Sequence, residues 1–212
     1  MNSNRSLKWA PIGWKRFLAV VAAAMSFTVI EARADVVLDT YLPGDVVDSE
    51  WNWSLYNNST TGFGQALAVS FATQSAITIN SILAAISASG DVTLGIMGDV
   101  AGLPSNSFLY SAVLNSPIAN VALDGLNWHV GAGNYWLAAI AADGSGGGWP
   151  GGSYGAPWAF TSGSNSTSWN ISGGESPAAR ITAAVPEPET YAMLLAGLGL
   201  LGLIARRRKL TA

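Results

Sequence analysis

The chain has 212 residues, half of them apolar and only 11% charged, with 24 glycines and nine tryptophans. A charged share so far below the usual ~25% is unlike a cytosolic enzyme, and the apolar content excludes disorder, which needs low hydrophobicity and high net charge. Cysteine is absent, so disulfide frameworks, thiolate zinc sites and cysteine nucleophiles are excluded.

The net charge of −3 conceals an asymmetry: nine of the ten bases lie in the first 33 or the last seven residues. Between Asp35 and Ala184, Arg180 stands alone against ten acids, a formal charge of −9. A stretch so poor in lysine and arginine cannot track phosphates, which excludes nucleic acid as a partner. Basic ends around an acidic middle instead read as a membrane orientation under the positive-inside rule.

At the N-terminus, Arg5, Lys8, Lys15 and Arg16 precede the apolar run FLAVVAAAMSFTVI (17–30), and Ala32-Arg33-Ala34 follows. A basic region, a short apolar region and a small-x-small site predict a signal peptide over 1–34, with Ala32 and Ala34 at the cleavage site. The run of 14 residues is shorter than the ~20 a membrane span needs. The expected partners are the Sec translocon and signal peptidase.

Residues 35–184 read as an all-β ectodomain. LPGDVVDSE, with Asp45, Asp48 and Glu50, reads as a solvated loop, and NWSLYNNSTTG (52–62) as a loose segment. Leu67, Val69 and Phe71 alternate with Ala66, Ala68 and Ser70, a half-buried strand. ITINSILAAIS (77–87) is apolar on both parities, so it reads as a strand pair or a strand covered on both faces. Val92, Leu94 and Ile96 alternate again, GDVAGLPSN (98–106) signals a turn, and Leu126, Trp128 and Val130 alternate once more. YWLAAI (135–140) follows the turn GAGN, and RIT (180–182) reads as the last strand. Short strands with glycine and proline turns predict a β-sandwich of jelly-roll-like type. No glycine-rich βαβ unit is present, which excludes a Rossmann fold.

Catalytic signals are weak. His129 is the one histidine, lies in a strand pattern, and has no GxSxG elbow. A lone histidine without cysteine leaves a transition-metal site short of ligands. Asp45, Asp48 and Glu50 are the carboxylates that could serve a glycosidase but read better as a solvated loop, and Asp91, Asp99 and Asp143 near turns leave calcium a weaker alternative without EF-hand spacing. No catalytic residue, metal or cofactor is expected.

The tryptophans are the sharper feature. Trp128 and Trp136 sit in apolar strands and read as core, whereas Trp51, Trp53, Trp149, Trp158 and Trp169 sit in polar or glycine-rich surroundings. ADGSGGGWPGGSYGAPW (142–158) has seven glycines in 17 residues, the composition of a surface loop. It makes Trp149, Tyr154 and Trp158 candidate ligand-binding aromatics, as exposed rings mark binding surfaces. Asn-x-Ser/Thr triplets start at Asn52, Asn57, Asn58, Asn165 and Asn170, each a formal surface acceptor.

Residues 185–212 close the chain. Pro186-Glu187-Pro188 precedes an uncharged, leucine-rich run of 15 residues (191–205), and Arg206, Arg207, Arg208 and Lys209 follow. A helix over 190–205 reads as a short single transmembrane span. The basic tail 206–209 holds the trailing side in the cytoplasm, so the acidic middle faces out.

Pro-Glu-Pro, a short glycine-containing hydrophobic helix and a terminal arginine cluster together resemble the PEP-CTERM sorting signal of Gram-negative bacteria. The resemblance implies recognition by an exosortase-type sorting enzyme, and cargo tied to extracellular polysaccharide and biofilm matrix. QALAVSF, ITINSI, VTLGIMGDVAGLP and GNYWLAAI, over about residues 65–140, resemble a group of bacterial exported β-sandwich ectodomains on interchangeable C-terminal anchors. That likeness implies fold rather than activity.

The expected protein is non-enzymatic. It is exported, tethered to the inner membrane with its ectodomain in the periplasm, and passed to the cell surface or extracellular matrix. There it is structural or adhesive in exopolysaccharide. The alternatives are a carbohydrate- or ice-binding module on the same anchor, and an envelope hydrolase.

Overall fold

The computed structural model describes residues 35–184 and 195–199. The cleavage-site residues Ala32 and Ala34, the Pro186-Glu187-Pro188 motif and the basic residues Arg206, Arg207, Arg208 and Lys209 lie outside the described residues. Residues 195–199 are helical. Among the described residues no helix is long and apolar enough to cross a membrane; most of the span expected over 190–205 lies outside them.

Residues 35–184 are all-β. In chain order the strands are β1 (Asp35–Asp39), β2 (Asp48–Asn58), β3 (Phe63–Gln65), β4 (Leu67–Thr73), β5 (Ile77–Ala85), β6 (Ser87–Ser89), β7 (Val92–Val100), β8 (Leu103–Leu114), β9 (Asn120–Leu123), β10 (Trp128–Val130), β11 (Gly133–Ala141), β12 (Gly146–Tyr154), β13 (Trp158–Thr161), β14 (Trp169–Ser172), β15 (Glu175–Pro177) and β16 (Ala179–Ala183). Three sheets result. The first runs β1-β16-β5-β10 with β9 also on β5, the second β14-β13-β4-β11-β7-β8, and the third β15-β12-β2-β3 with β6 also on β12. The ladders are antiparallel throughout.

The first and third sheets meet at a seam. Only Ile86 separates β5 from β6, and only Ala178 separates β15 from β16. At that point Ala85 N–H donates to Ala178 O (3.1 Å) and Ala178 N–H donates to Pro150 O (2.9 Å). Two continuous chain segments therefore change sheets side by side without losing backbone hydrogen bonds. One apolar core draws on all three sheets, with Ile79, Ile82 and Ile181 from the first, Leu67, Val69, Ile96 and Leu137 from the second, and Leu55 and Trp149 from the third. Each fully buried aliphatic side chain contributes about 1.5–3 kcal/mol.

The six-stranded sheet departs from the half-buried expectation. Its odd positions on β4 enter the main core, but Ala68 on the other face is also buried, in a second cluster with Met97, Trp136, Ala138 and Ala159. Phe108, Ile140 and Trp169 pack over that cluster, and the edge strands β8 and β14 come into contact across it. The alanines on this face are small enough for the sheet to curl over itself. The turn expected over 98–106 narrows to Ala101 and Gly102, both left-handed (φ 55° and 83°). Two left-handed residues match the right-handed strand twist in a two-residue hairpin.

Both segments read as loose are strands. Residues 52–58 belong to β2, and most of 142–158 is β12. The glycines of β12 mark close approaches of other chain segments, not a loop. A Cβ on Gly147 would collide with the Ser87 carbonyl oxygen, and one on Gly152 with that of Thr40. Glycine inside a strand commonly has this meaning.

Candidate functional site

The aromatic residues converge where β2 and β13 meet. Alternate residues of a strand share a face, and on β2 these are Leu55, Trp53 and Trp51, which pass from buried through half-buried to exposed. The ladder with β12 jumps from Asn52↔Pro150 to Asp48↔Gly151. This bulge leaves Ser49, Glu50 and Trp51 without direct partners and carries Trp51 to the end of the core. The Trp51 and Trp53 rings stack with centroids 5.7 Å apart, Trp53 and Trp158 lie 4.3 Å apart, and Trp158 and Phe160 5.9 Å apart. The row runs from solvent into the protein.

Glu175 stands beside this row. It lies opposite Tyr154 in the β12–β15 ladder, and Gly151 separates it from Trp51. A Cβ on Gly151 would sit 2.9 Å from Trp51 Cβ and 3.1 Å from Glu175 Oε2. Glu175 is 7% exposed. Its carboxylate raises the pKa of the neighbouring Tyr154 phenol, and the charge of Asp48 adds to the effect.

Three buried side-chain polar atoms in the described residues have no hydrogen-bond partner: Trp53 Nε1, Trp158 Nε1 and Glu175 Oε2. All three belong to this end of the core. An unsatisfied buried polar group costs about 1–3 kcal/mol, so their concentration in one place is unusual for a region that only packs.

The residues predicted from sequence separate. Trp149 is fully buried (0% exposed) and Trp158 nearly so (2%), while Tyr154 is 69% exposed. Trp149 Nε1–H donates to Ala178 O at 2.8 Å, so this ring fastens the seam between sheets and cannot meet a ligand. Trp158 is a core ring with an unpaired N–H. Of the three, only Tyr154 presents the exposed ring expected of a loop aromatic. The physical reason is that β12 is a paired strand rather than a loop. Trp51, 47% exposed, and Glu175 complete the site. Trp51 was legible as one of the tryptophans in polar surroundings, but nothing local to GGESP marks Glu175 as buried.

Other candidates resolve differently. His129 lies exposed on β10 with Nδ1 2.8 Å from Thr78 Oγ1. Asp91 and Asp99 lie at opposite ends of β7. Asp99 accepts from Trp136 Nε1 (2.8 Å) and Gly102 N (3.0 Å), so its carboxylate is engaged within the groove beside Trp136 and Asn134. Arg180, the one base among the described residues, is held by Asp39 (2.8 Å) and Asp45 (2.5 Å). Asn57, expected as a surface acceptor, is buried; its Nδ2 donates to Ala141 O (3.3 Å) and Asn165 Oδ1 (3.2 Å). Among the described residues no three acidic or histidine side chains group as a metal site.

The other functional element follows β16 directly. Residues 184–209 match the PEP-CTERM protein-sorting motif. The chain carries a PEP-CTERM sorting motif. A protein with this motif is exported and sorted by exosortase. The motif begins one residue after the last residue of β16, Ala183. No curated protein matches the chain.

Proposed function

We propose that this PEP-CTERM protein is a non-enzymatic component of the cell surface or extracellular matrix, structural or adhesive within exopolysaccharide. Its signal peptide passes through the Sec translocon and is removed by signal peptidase after Ala34. Its hydrophobic segment over 190–205 then tethers it to the inner membrane, with Arg206–Lys209 inside and the ectodomain in the periplasm. Exosortase hands it over at Pro186-Glu187-Pro188. We read the all-β unit as a jelly-roll-like sandwich.

The observation that carries the reading is the sorting motif at 184–209 placed against an ectodomain with a single base. Four bases behind the hydrophobic segment, against one base in residues 35–184, support this orientation. The test is fractionation of spheroplasts, medium and matrix. Deletion of residues 186–212 moves the protein from the envelope to the medium, and loss of the exosortase removes the protein from the matrix fraction. Retention of the truncated protein in the envelope, or an unchanged matrix fraction without exosortase, overturns the reading.

A further inference from the structure

We propose that the Trp51–Tyr154–Glu175 end of the core is a binding subsite for neutral polysaccharide. The inference rests on the reading of a matrix protein and names the chemistry through which it would hold the matrix. Trp51 and Tyr154 are the exposed rings, with Trp53 stacked on Trp51 and Trp158 packed at a tilt against Trp53. Flat aromatic faces take the C–H face of a pyranose ring while polar groups nearby fix its orientation. The polar groups here are one carboxylate oxygen that accepts and two indole N–H groups that donate, all unpartnered. Sugar hydroxyls suit both kinds, because a hydroxyl can donate to a carboxylate oxygen or accept from an indole N–H. Those atoms are buried, and the exposed Trp51 and Tyr154 rings make the first contact with a sugar.

The charge around the site selects among sugars. Asp48 acts on the Tyr154 phenol together with Glu175, Glu50 precedes Trp51, and Arg180 is committed to Asp39 and Asp45. Among the described residues no other base is present to meet a uronate, sulfate or phosphate, and like charges facing one another disfavour such a ligand. The occupant is therefore an uncharged pyranose polymer.

The experiment uses the full chain, purified in mild detergent and passed over insoluble glucan, mannan and galactan and over cross-linked alginate. The protein is retained on at least one neutral polymer and not on alginate. Trp51→Ala and Tyr154→Ala each weaken that retention at least ten-fold with an unchanged unfolding temperature, and Glu175→Gln weakens it while keeping the side-chain shape. Binding also shifts tryptophan fluorescence, and the shift is lost in Trp51→Ala. Both Trp51 and Tyr154 are exposed, so if one variant is unstable the other decides. No retention on any neutral polymer, stronger retention on alginate, or wild-type retention by the stable alanine variants overturns the proposal. If the protein still partitions to the matrix through exosortase in that case, the sorting reading stands and only the site falls.

Discussion

Replacing Trp149 separates a seam residue from a ligand contact. The ring is fully buried and its N–H reaches the Ala178 carbonyl at 2.8 Å. That carbonyl also accepts from Ala85 N at 3.1 Å, so Trp149 holds the point where two chain segments change sheets. Truncating a buried tryptophan to alanine costs about 3–5 kcal/mol. Trp149→Phe keeps most of the packing and loses the hydrogen bond, a cost of about 1–2 kcal/mol. With a urea slope of about 2 kcal/mol per molar, a 4 kcal/mol loss lowers the midpoint by about 2 M. The assay is urea unfolding of residues 35–184 followed by far-ultraviolet circular dichroism, with Phe expected between wild type and Ala. A Trp149→Ala midpoint within about 0.5 M of wild type, or a loss of polysaccharide retention at an unchanged midpoint, refutes the structural role and restores the ring to the ligand.

Two further outcomes follow from the same packing. Arg180 donates to Asp45 and holds its carboxyl below the ordinary carboxylate range. A folded-state pKa below the unfolded value gives stability that is complete above the ordinary carboxylate pKa and lost as pH falls through the depressed one. The wild-type unfolding temperature therefore declines below about pH 4, and the decline is shallower in Arg180→Gln. Part of it remains, because Ser59 likewise holds Asp143 low; identical slopes in both proteins would show that the ion cluster adds nothing. Gly152→Ala drives a Cβ into the Thr40 carbonyl and costs about 1–3 kcal/mol. Gly173→Ala, with nothing within 4 Å, leaves the urea midpoint within about 0.25 M of wild type, and equal effects at the two positions would count against the close approach at β12.

The strands with clean alternation were legible because period two reports burial of one face. Leu67–Phe71, Val92–Ile96 and Ile181 all lie in strands with their large residues in the core. The second cluster behind β4 and β11 was not legible, since its alanines look like the solvent face until Trp136 and Trp169 are seen to cover them. β12 failed for a related reason. Glycine composition points to a loop, and the Ser87 and Thr40 backbones that require glycine there lie 60 and 112 residues away from Gly147 and Gly152. The candidate site was half legible. Its tryptophans stood out by composition, but Glu175 becomes chemically distinct only through burial opposite Tyr154. The sorting motif was fully legible because it is linear.

The junction between β16 and that motif yields a sharp prediction. β16 lies between β1 and β5 in its sheet, with four partner positions on β1 and five on β5. Ala179, Ile181 and Ala183 are buried. Burial of Ile181 is worth about 2–3 kcal/mol, and each backbone hydrogen bond lost on both sides adds about 1 kcal/mol. The total exceeds much of the 5–15 kcal/mol that keeps a domain folded. A chain that ends after Ala184 therefore keeps its far-ultraviolet spectrum and resists limited proteolysis, whereas one that ends after Ala178 is unfolded and degraded. A folded shorter chain, or a degraded longer one, would sink the argument. Since the motif starts at residue 184, any processing compatible with a folded product cuts beyond that residue. A cut there leaves every described strand in place.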